Sequence, residues 1–396
     1  MHSKHRTFRD HIRSQHSIFL KKLVKGGMST DTAVRIITSG YHMLNNNMYG
    51  NNSGEYFHDS YYGYGFKCDF QFIEDFPSNN GINMDRRIRS GIRSVADAYH
   101  AVEDVVKDLN PDIAKRVCYR GECRKRTMLR QAPNPFYCYS DGSELLMLPS
   151  YWRQYRDSEY MDRPLIAEYE ATLGNSIFSD LILYDGIDII KLSEYNHKTY
   201  GIHTMDDLAD FPEPENQEVY RRYSAKRDYA FGTNECISLE QHYGCQTTHL
   251  DVTFDLPTAL FFALNKFEIL DGSIPSATYT RDYRENSNPT VFCFLFPSED
   301  VYYERDKITR YTRFPATPPL RPIRQNCAVF RTDALEFNWA AKHVILELKL
   351  EKDFCTEGLP DYEYLFPSSK HDKFYAKLLE QKHQFPEVWE EIIEYK

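Results

Sequence analysis

LEQHYGCQTTHLDVTFDLPTALFFA, residues 239–263, is the stretch that most constrains the fold of this chain. It places a polar, hydroxyl-rich segment directly before Thr258–Leu264, which is apolar on every face and predicts a core helix. Polar groups beside a core are costly unless they have partners. Asp251 and Thr253 lie two residues apart, so they share one face of the strand predicted before the helix. We expect this strand to face a ligand and the helix to hold it in place.

The composition predicts a soluble globular protein. The 396 residues are 41% hydrophobic, which is enough to bury a sizeable core. The formal net charge of -10 provides no general basic field for nucleic acid. The nine cysteines form no CxxC pair, and the N-terminus has no apolar segment typical of a secretory signal, which indicates a cytoplasmic setting. No apolar run reaches the roughly 20 residues that cross a bilayer, so we expect no membrane contact.

Residues 1–93 are predicted to be a basic N-terminal helix followed by a region rich in Asn, Gly and Tyr. Residues 1–27 are basic, and Ile12, Phe19 and Leu23 have the spacing of an amphipathic helix. We interpret it mainly as a solvated or packed helix, with partner or nucleic-acid contact as the alternative. The segment 45–65 contains NNNMYGNNSG and YYGYG, which predict a long surface loop.

Residues 94–396 are predicted to form one domain in which helices and strands are mixed. Ser94 can cap a helix whose apolar positions recur with a period of about 3.6. Residues 117–119 predict a strand that leads into Arg120, and 344–350 a half-exposed strand that carries Glu347 and Lys349. We further expect strands over 290–296 and 328–331, helices over 164–173 and 220–231, and a loop over 206–218. The fold class is therefore α+β, with a helical and irregular N-terminal extension.

Several motifs in this chain resemble those of a known family, whereas signatures of P-loop, Rossmann, zinc-protease and hydrolase folds are absent. CYRGE at 118–122 is followed by LLMLPSYWR, then by the 239–263 stretch, RPIRQNCAVF at 321–330 and YLFP at 364–367. In this order the motifs resemble the FRG domain family over about residues 94–380. The family tends to have Pro-Thr-Arg and Asp-Trp-Thr where this chain has QTT at 246–248 and DVT at 251–253. The chain is thus similar to a divergent member, in which contacts of that arginine and tryptophan are missing or relocated.

The order of these motifs is also remotely similar to ADP-ribosyltransferases, which cleave the bond between nicotinamide and ribose in NAD. This resemblance implies an ADP-ribosyltransferase-like core with NAD as substrate and no metal. It implies transfer of ADP-ribose to an unknown protein or nucleic-acid acceptor, or hydrolysis of NAD, as in a toxin or an anti-phage defence effector. The alternative is a nucleotide-sensing or protein-interaction module without turnover. A nuclease is disfavoured because clustered carboxylates are lacking.

The same resemblance implies roles for particular side chains around the cofactor. Arg120 would bind the diphosphate, with Gly121 allowing close approach of the ligand; a structural ion pair is the alternative for Arg120. Asp251 and Thr253 would hold the ribose; the alternative is that Asp251 caps or braces the following turn and that Thr253 merely favours the strand. His242 and Tyr243 are expected at the base, with a structural His-Tyr pair as the alternative, and Gln241 is a further expected cofactor-binding residue.

The reacting centre is where the chain departs most from a transferase. Gln325 falls where a transferase carries its catalytic glutamate on a late strand, and a glutamine supplies no negative charge to the ribosyl cation. Glu122 is the alternative carboxylate, and Asp251 is the third expected catalytic residue. A zinc site formed by His242, His249 and Asp251 is disfavoured because no fourth ligand has a recognisable spacing.

Overall fold

The computed structural model shows a protein of mixed helices and sheets, which confirms the α+β class. The residues described are 16–45, 55–59, 61–62, 84–149, 186–229, 241–244, 250–270, 276–284, 287–296, 318–330, 338–384 and 392–395. The helix predicted over 164–173, the QTT segment 246–248 and His249 lie outside these residues. Within the described ranges, no helix is both long and apolar enough to span a bilayer.

The strands form one six-stranded sheet and smaller ones beside it. In chain order they are β1 (Tyr41–Asn45), β2 (Glu55–Asp59), β3 (Ile88–Ile92), β4 (Cys118–Glu122), β5 (Thr127–Leu129), β6 (Ser143–Leu145), β7 (Leu250–Thr253), β8 (Asn265–Leu270), β9 (Ser276–Arg281), β10 (Thr290–Phe294), β11 (Cys327–Phe330), β12 (Val344–Leu350) and β13 (Glu394–Tyr395). The central sheet has the order β11-β7-β4-β10-β12-β3, and only the β12–β3 pair is parallel. A second sheet has the order β13-β9-β8. Strand β3 precedes residue 94 in the chain, so the central sheet includes part of the predicted N-terminal region.

Strand β10 shows why the central sheet is buried on both faces. All five of its residues are buried. Phe292 and Phe294 pack into one core, whereas Val291 and Cys293 pack into a second core on the opposite face. This alternation follows from the two-residue period of a strand, and it explains why the segment reads as a continuous apolar run. The strands predicted over 290–296, 328–331 and 344–350 are confirmed in β10, β11 and β12.

Two helices cover the second face of the central sheet. The helix Leu256–Leu264, here called the apolar helix, begins at Asp255, whose carboxylate accepts from the Thr258 backbone N–H. The helix Val95–Val106 begins at Ser94, whose hydroxyl accepts from the Asp97 backbone N–H, as predicted. Side chains on both helices belong to the same core. The α-helices are 16–25, Thr30–Thr38, Val95–Val106, Pro111–Ala114, Ile189–Tyr200, Pro214–Tyr229, Leu256–Leu264, Leu320–Arg324, Trp339–Lys342, Tyr362–Leu365 and Lys373–Gln384.

Gly121 lets the apolar helix pack closely on β4. A Cβ at this position would lie 1.8 Å from the carbonyl oxygen of Ala259 and 2.6 Å from the backbone nitrogen of Ala263. Both atoms belong to helix backbone, which cannot move aside as a side chain can. Packing of the helix is thus one reason for this glycine, and the predicted one, close approach of a ligand, stays a prediction.

The described residues of the N-terminal region contain more regular structure than predicted. Helix 16–25 buries Phe19 and Leu23, which confirms the amphipathic interpretation for these two positions. The long loop predicted over 45–65 is wrong for β2, which pairs with β1, and for Tyr62, which is fully buried. Arg130 explains this order, because its guanidinium bonds both Asp59 at the end of β2 and Glu144 in β6.

Two other predictions are corrected by the structure. The loop predicted over 206–218 contains the 3-10 helix Asp207–Asp210 and the first turn of Pro214–Tyr229. The latter helix confirms the one predicted over 220–231 but begins earlier. Glu347 in β12 was predicted on a half-exposed strand, yet it is fully buried because Lys125 and Tyr139 bond its two carboxylate oxygens.

Candidate functional site

A cavity of about 240 Å³ lies where β4, β7, β8, β9 and the apolar helix converge. Its lining includes most of the side chains singled out in the sequence, although they come from segments far apart in the chain. The predicted residues in the lining are Arg120, Glu122, Gln241, His242, Asp251, Thr253 and Gln325. The lining does not include Tyr243. The central sheet brings these residues together because β4, β7 and β11 lie side by side at its edge.

Arg120 and Glu122 form an ion pair beside the cavity. The Arg120 Nε donates to Glu122 Oε1 at 3.1 Å, and its Nη1 donates to the backbone carbonyl of Asp251 at 2.8 Å. Arg126, which was not predicted from the sequence, donates to the other oxygen of Glu122 at 3.0 Å. The Arg126 side chain also lines the cavity and is 40% exposed, so its guanidinium is accessible to a ligand. Glu122 is thus a carboxylate neutralised by two arginines.

Asp251 is the carboxyl group at this cavity that lacks a compensating hydrogen bond. Its Oδ1 is sealed from solvent and has no hydrogen-bond partner among the described residues. Burial raises the pKa of Asp251 from 3.8 to about 7, and the positive charge of Arg120 opposes this rise only in part. A carboxyl group with a pKa near neutrality can either carry charge or hold a proton under physiological conditions.

Thr253 shares the strand of Asp251 but has a different environment. Its hydroxyl donates to the carbonyl of Gln325 at 2.6 Å and accepts from the backbone N–H of Asp255 at 3.0 Å. These bonds link β7 to the segment before β11 and to the start of the apolar helix. The Thr253 hydroxyl therefore has protein partners, and this geometry gives Thr253 a structural role beside the cavity.

His242 and Gln325 are bonded to one another on the polar side of the cavity. His242 Nδ1 lies 3.0 Å from Gln325 Oε1, and Gln325 Nε2 donates to the carbonyl of Leu365 at 3.1 Å. Burial, as the main cause, lowers the pKa of His242 from 6.5 to about 4, so the ring is neutral at physiological pH. Gln325 ends the short helix Leu320–Arg324 and precedes β11, whereas the resemblance implied a position on the strand itself.

Tyr243 lies behind the cavity in a separate buried cluster. Its hydroxyl donates to Asp372 at 2.8 Å, and its ring centroid lies 4.8 Å from the Arg321 guanidinium carbon. Tyr375 stacks on it with ring centroids 5.7 Å apart. Because hydroxyl and ring both have protein partners, this geometry matches the structural alternative for Tyr243 and not contact with a base.

Aromatic side chains also line the cavity, and the sequence did not predict this role for them. This aromatic wall consists of Phe262, Phe267, Tyr279, Phe366 and Tyr395. Tyr279 and Phe366 stack with centroids 4.8 Å apart, and Phe366 and Tyr395 stack at 5.1 Å. The YLFP motif contains Phe366 and the 239–263 stretch contains Phe262, so two of the five rings lie in segments singled out in the sequence. A flat ligand can pack against such rings while polar groups bond its edge.

Comparison of the chain with protein-family models, with curated proteins and with solved structures gave no match. Within the part of the chain that the structure describes, no three or more His, Cys, Asp or Glu side chains cluster in a way that could hold a metal ion. The side chains of the cavity are therefore the only guide to its chemistry. They offer an isolated carboxyl group, a neutral imidazole, two guanidinium groups and the aromatic wall.

Proposed function

We propose that this cavity binds NAD and promotes cleavage of the bond between nicotinamide and ribose, within an ADP-ribosyltransferase-like core of the FRG type. The ADP-ribose is then transferred to a protein or nucleic-acid acceptor, or to water. The observation that carries the proposal is the isolated Asp251 carboxyl group, which faces the same cavity as Arg120 and the aromatic wall.

Asp251 is better suited than Glu122 or Gln325 to stabilise the reacting ribose. When the C–N bond breaks, its electron pair leaves with nicotinamide and positive charge develops on the ribose. Glu122 is already neutralised by Arg120 and Arg126, and Gln325 is uncharged. Ionised Asp251 supplies negative charge that Arg120 offsets only in part, and such charge is most effective at a carboxyl group withdrawn from water. It can also accept the proton of the hydroxyl group or water that attacks the sugar.

The remaining side chains account for binding of the cofactor. In this proposal Arg120 and Arg126 hold phosphate oxygens, which a guanidinium can bind with two parallel hydrogen bonds. The aromatic wall offers a surface for the nicotinamide ring. A volume of about 240 Å³ lies below the range of roughly 300–1,000 Å³ for drug-sized ligands, which suits one end of a dinucleotide. The adenosine end then extends outward past the exposed Arg126.

A test of this proposal measures nicotinamide release from NAD by chromatography, together with any mass increase of added protein or RNA. We expect the wild-type chain to release nicotinamide and Asp251→Asn to lose about 100-fold or more of that rate. Asp353→Asn makes the same change at an exposed position outside the cavity lining, and should retain the wild-type rate. If the wild-type chain gives no nicotinamide release and no mass increase, catalysis is contradicted.

A nucleotide-sensing module without turnover is the second candidate. It is favoured by Gln325, whose amide is uncharged and engaged by both His242 and Leu365. NAD that binds tightly and is recovered intact after incubation would support this candidate over the first. Under the first candidate, consumption of NAD is the means by which the chain acts as a toxin or an anti-phage defence effector.

A further inference from the structure

The orientation of the Gln325 side-chain amide follows from one backbone contact. The carbonyl of Leu365 can only accept a hydrogen bond, so the Gln325 atom 3.1 Å from it must be the NH₂ nitrogen. The other end of the amide is then the oxygen Oε1, which lies 3.0 Å from His242 Nδ1. An oxygen can only accept, and therefore Nδ1 of His242 must carry a proton.

The position of that proton determines the character of the other ring nitrogen. Burial keeps the imidazole of His242 neutral, as its lowered pKa indicates. A neutral imidazole with its proton on Nδ1 has a bare Nε2, which accepts hydrogen bonds and cannot donate them. Nε2 is buried and has no partner among the described residues, and His242 is one of the residues that line the cavity. The wall of the cavity thus holds a buried acceptor at Nε2 for which the described residues supply no donor.

We propose that Leu365 and Gln325 fix His242 as a hydrogen-bond acceptor, so that the cavity selects the amide form of a pyridine nucleotide over the acid form. This inference rests on the proposed function for the identity of the ligand. The carboxamide of nicotinamide carries N–H groups that can donate to Nε2. A nicotinate carboxylate has no such donor, and its charge is also repelled by ionised Asp251. Gln325 acts here through His242, as a residue that positions it.

The tautomer of His242 can be measured without any ligand. In protein labelled with ¹⁵N at histidine, the ring-nitrogen shifts and their couplings identify which nitrogen carries the proton, and His242→Gln assigns the signals. We expect a proton on Nδ1 and none on Nε2. A proton on Nε2 in the wild-type chain would overturn the inference, whatever ligand the cavity binds.

Ligand choice is tested by titration calorimetry with NAD and with nicotinic acid adenine dinucleotide. We expect the wild-type chain to bind NAD about tenfold or more tightly, because the acid form loses one hydrogen bond and places like charges together. Equal affinity for the two dinucleotides, or a preference for the acid form, would overturn the inference. If neither binds while Nδ1 carries the proton, the proposed function fails, and the ligand choice fails with it.

A substitution at Gln325 should change the preference in a defined direction. In Gln325→Glu the new carboxylate faces Nδ1 and favours a protonated ring, which converts Nε2 into a donor. We therefore expect the preference for NAD to fall by about tenfold and the Nε2 signal to gain a proton. Gln381→Glu, at a half-buried position outside the cavity lining, is the matched control and should keep the wild-type preference. An unchanged preference in Gln325→Glu together with a protonated Nε2 would contradict the role of His242.

Discussion

Replacing Asp251 by asparagine should stabilise the fold at alkaline pH while abolishing the proposed reaction. The Asp251 carboxyl group is held where its charged form is disfavoured, with Oδ1 sealed from solvent and unpartnered. Asparagine has nearly the same shape and carries no charge. The substitution therefore removes the cost of the charge and leaves the packing intact.

The size of this effect follows from the pKa of Asp251. The group has a pKa of 3.8 in the unfolded chain and about 7 in the folded one. Between these values the folded state binds more protons, so the free energy of unfolding falls as pH rises, by up to about 1.4 kcal/mol per pH unit. Over the whole shift this amounts to at most about 4 kcal/mol, since part of the residue remains accessible. We expect Asp251→Asn to match the wild type near pH 4 and to exceed its stability increasingly up to pH 8.

The measurement is urea unfolding of both proteins at a series of pH values from 4 to 8, with circular dichroism as the readout. The difference between the two proteins isolates Asp251 from other titrating groups. Asp353→Asn, which is exposed, provides the control and should show no pH-dependent difference. A constant difference between wild type and Asp251→Asn across this range, or a variant less stable at pH 8, would refute the argument that the Asp251 charge is buried and uncompensated.

Two further substitutions test packing and buried charge. Gly121→Ala places a methyl group 1.8 Å from the Ala259 carbonyl oxygen and should lower the free energy of unfolding in urea by about 3 kcal/mol or more. In the control, Gly26→Ala, the new methyl group meets only ordinary contacts and should have little effect. Arg130→Met leaves the buried carboxylates Asp59 and Glu144 without their cation and should lower the free energy of unfolding in urea by about 3–5 kcal/mol. The control is Lys115→Met at an exposed position, which should show no such loss.

The parts of the fold that local chemistry determines could be predicted from the sequence. Ser94 begins its helix as expected because a serine hydroxyl satisfies a free N–H at a helix start. The apolar helix and β10 were predicted because their composition leaves no polar face to expose. The loop prediction failed at β2 because Asp59 is ordered by Arg130, 71 residues away in the chain. No local pattern encodes such a pairing.

The candidate site was predictable in its polar residues but not in their individual environments. The motifs placed Arg120, His242, Asp251 and Gln325 at one cavity, as the spacing of adjacent strands allows. Their environments depend on neighbours from distant segments: Arg126 neutralises Glu122, and Leu365 orients Gln325. The aromatic wall comes from four separate parts of the chain, so no single stretch of sequence could indicate it.

Tyr395 has a consequence for the order in which the site can form during synthesis. It completes the aromatic wall by stacking on Phe366, and its backbone N–H donates to the Tyr375 hydroxyl. Because a ribosome makes the chain from its N-terminus, Tyr395 is the last residue of the cavity lining to be made, long after Arg120 and Asp251 have begun to fold. A nascent chain from which Tyr395 has not emerged has an incomplete cavity. The cavity therefore has its full lining only after synthesis has passed residue 395.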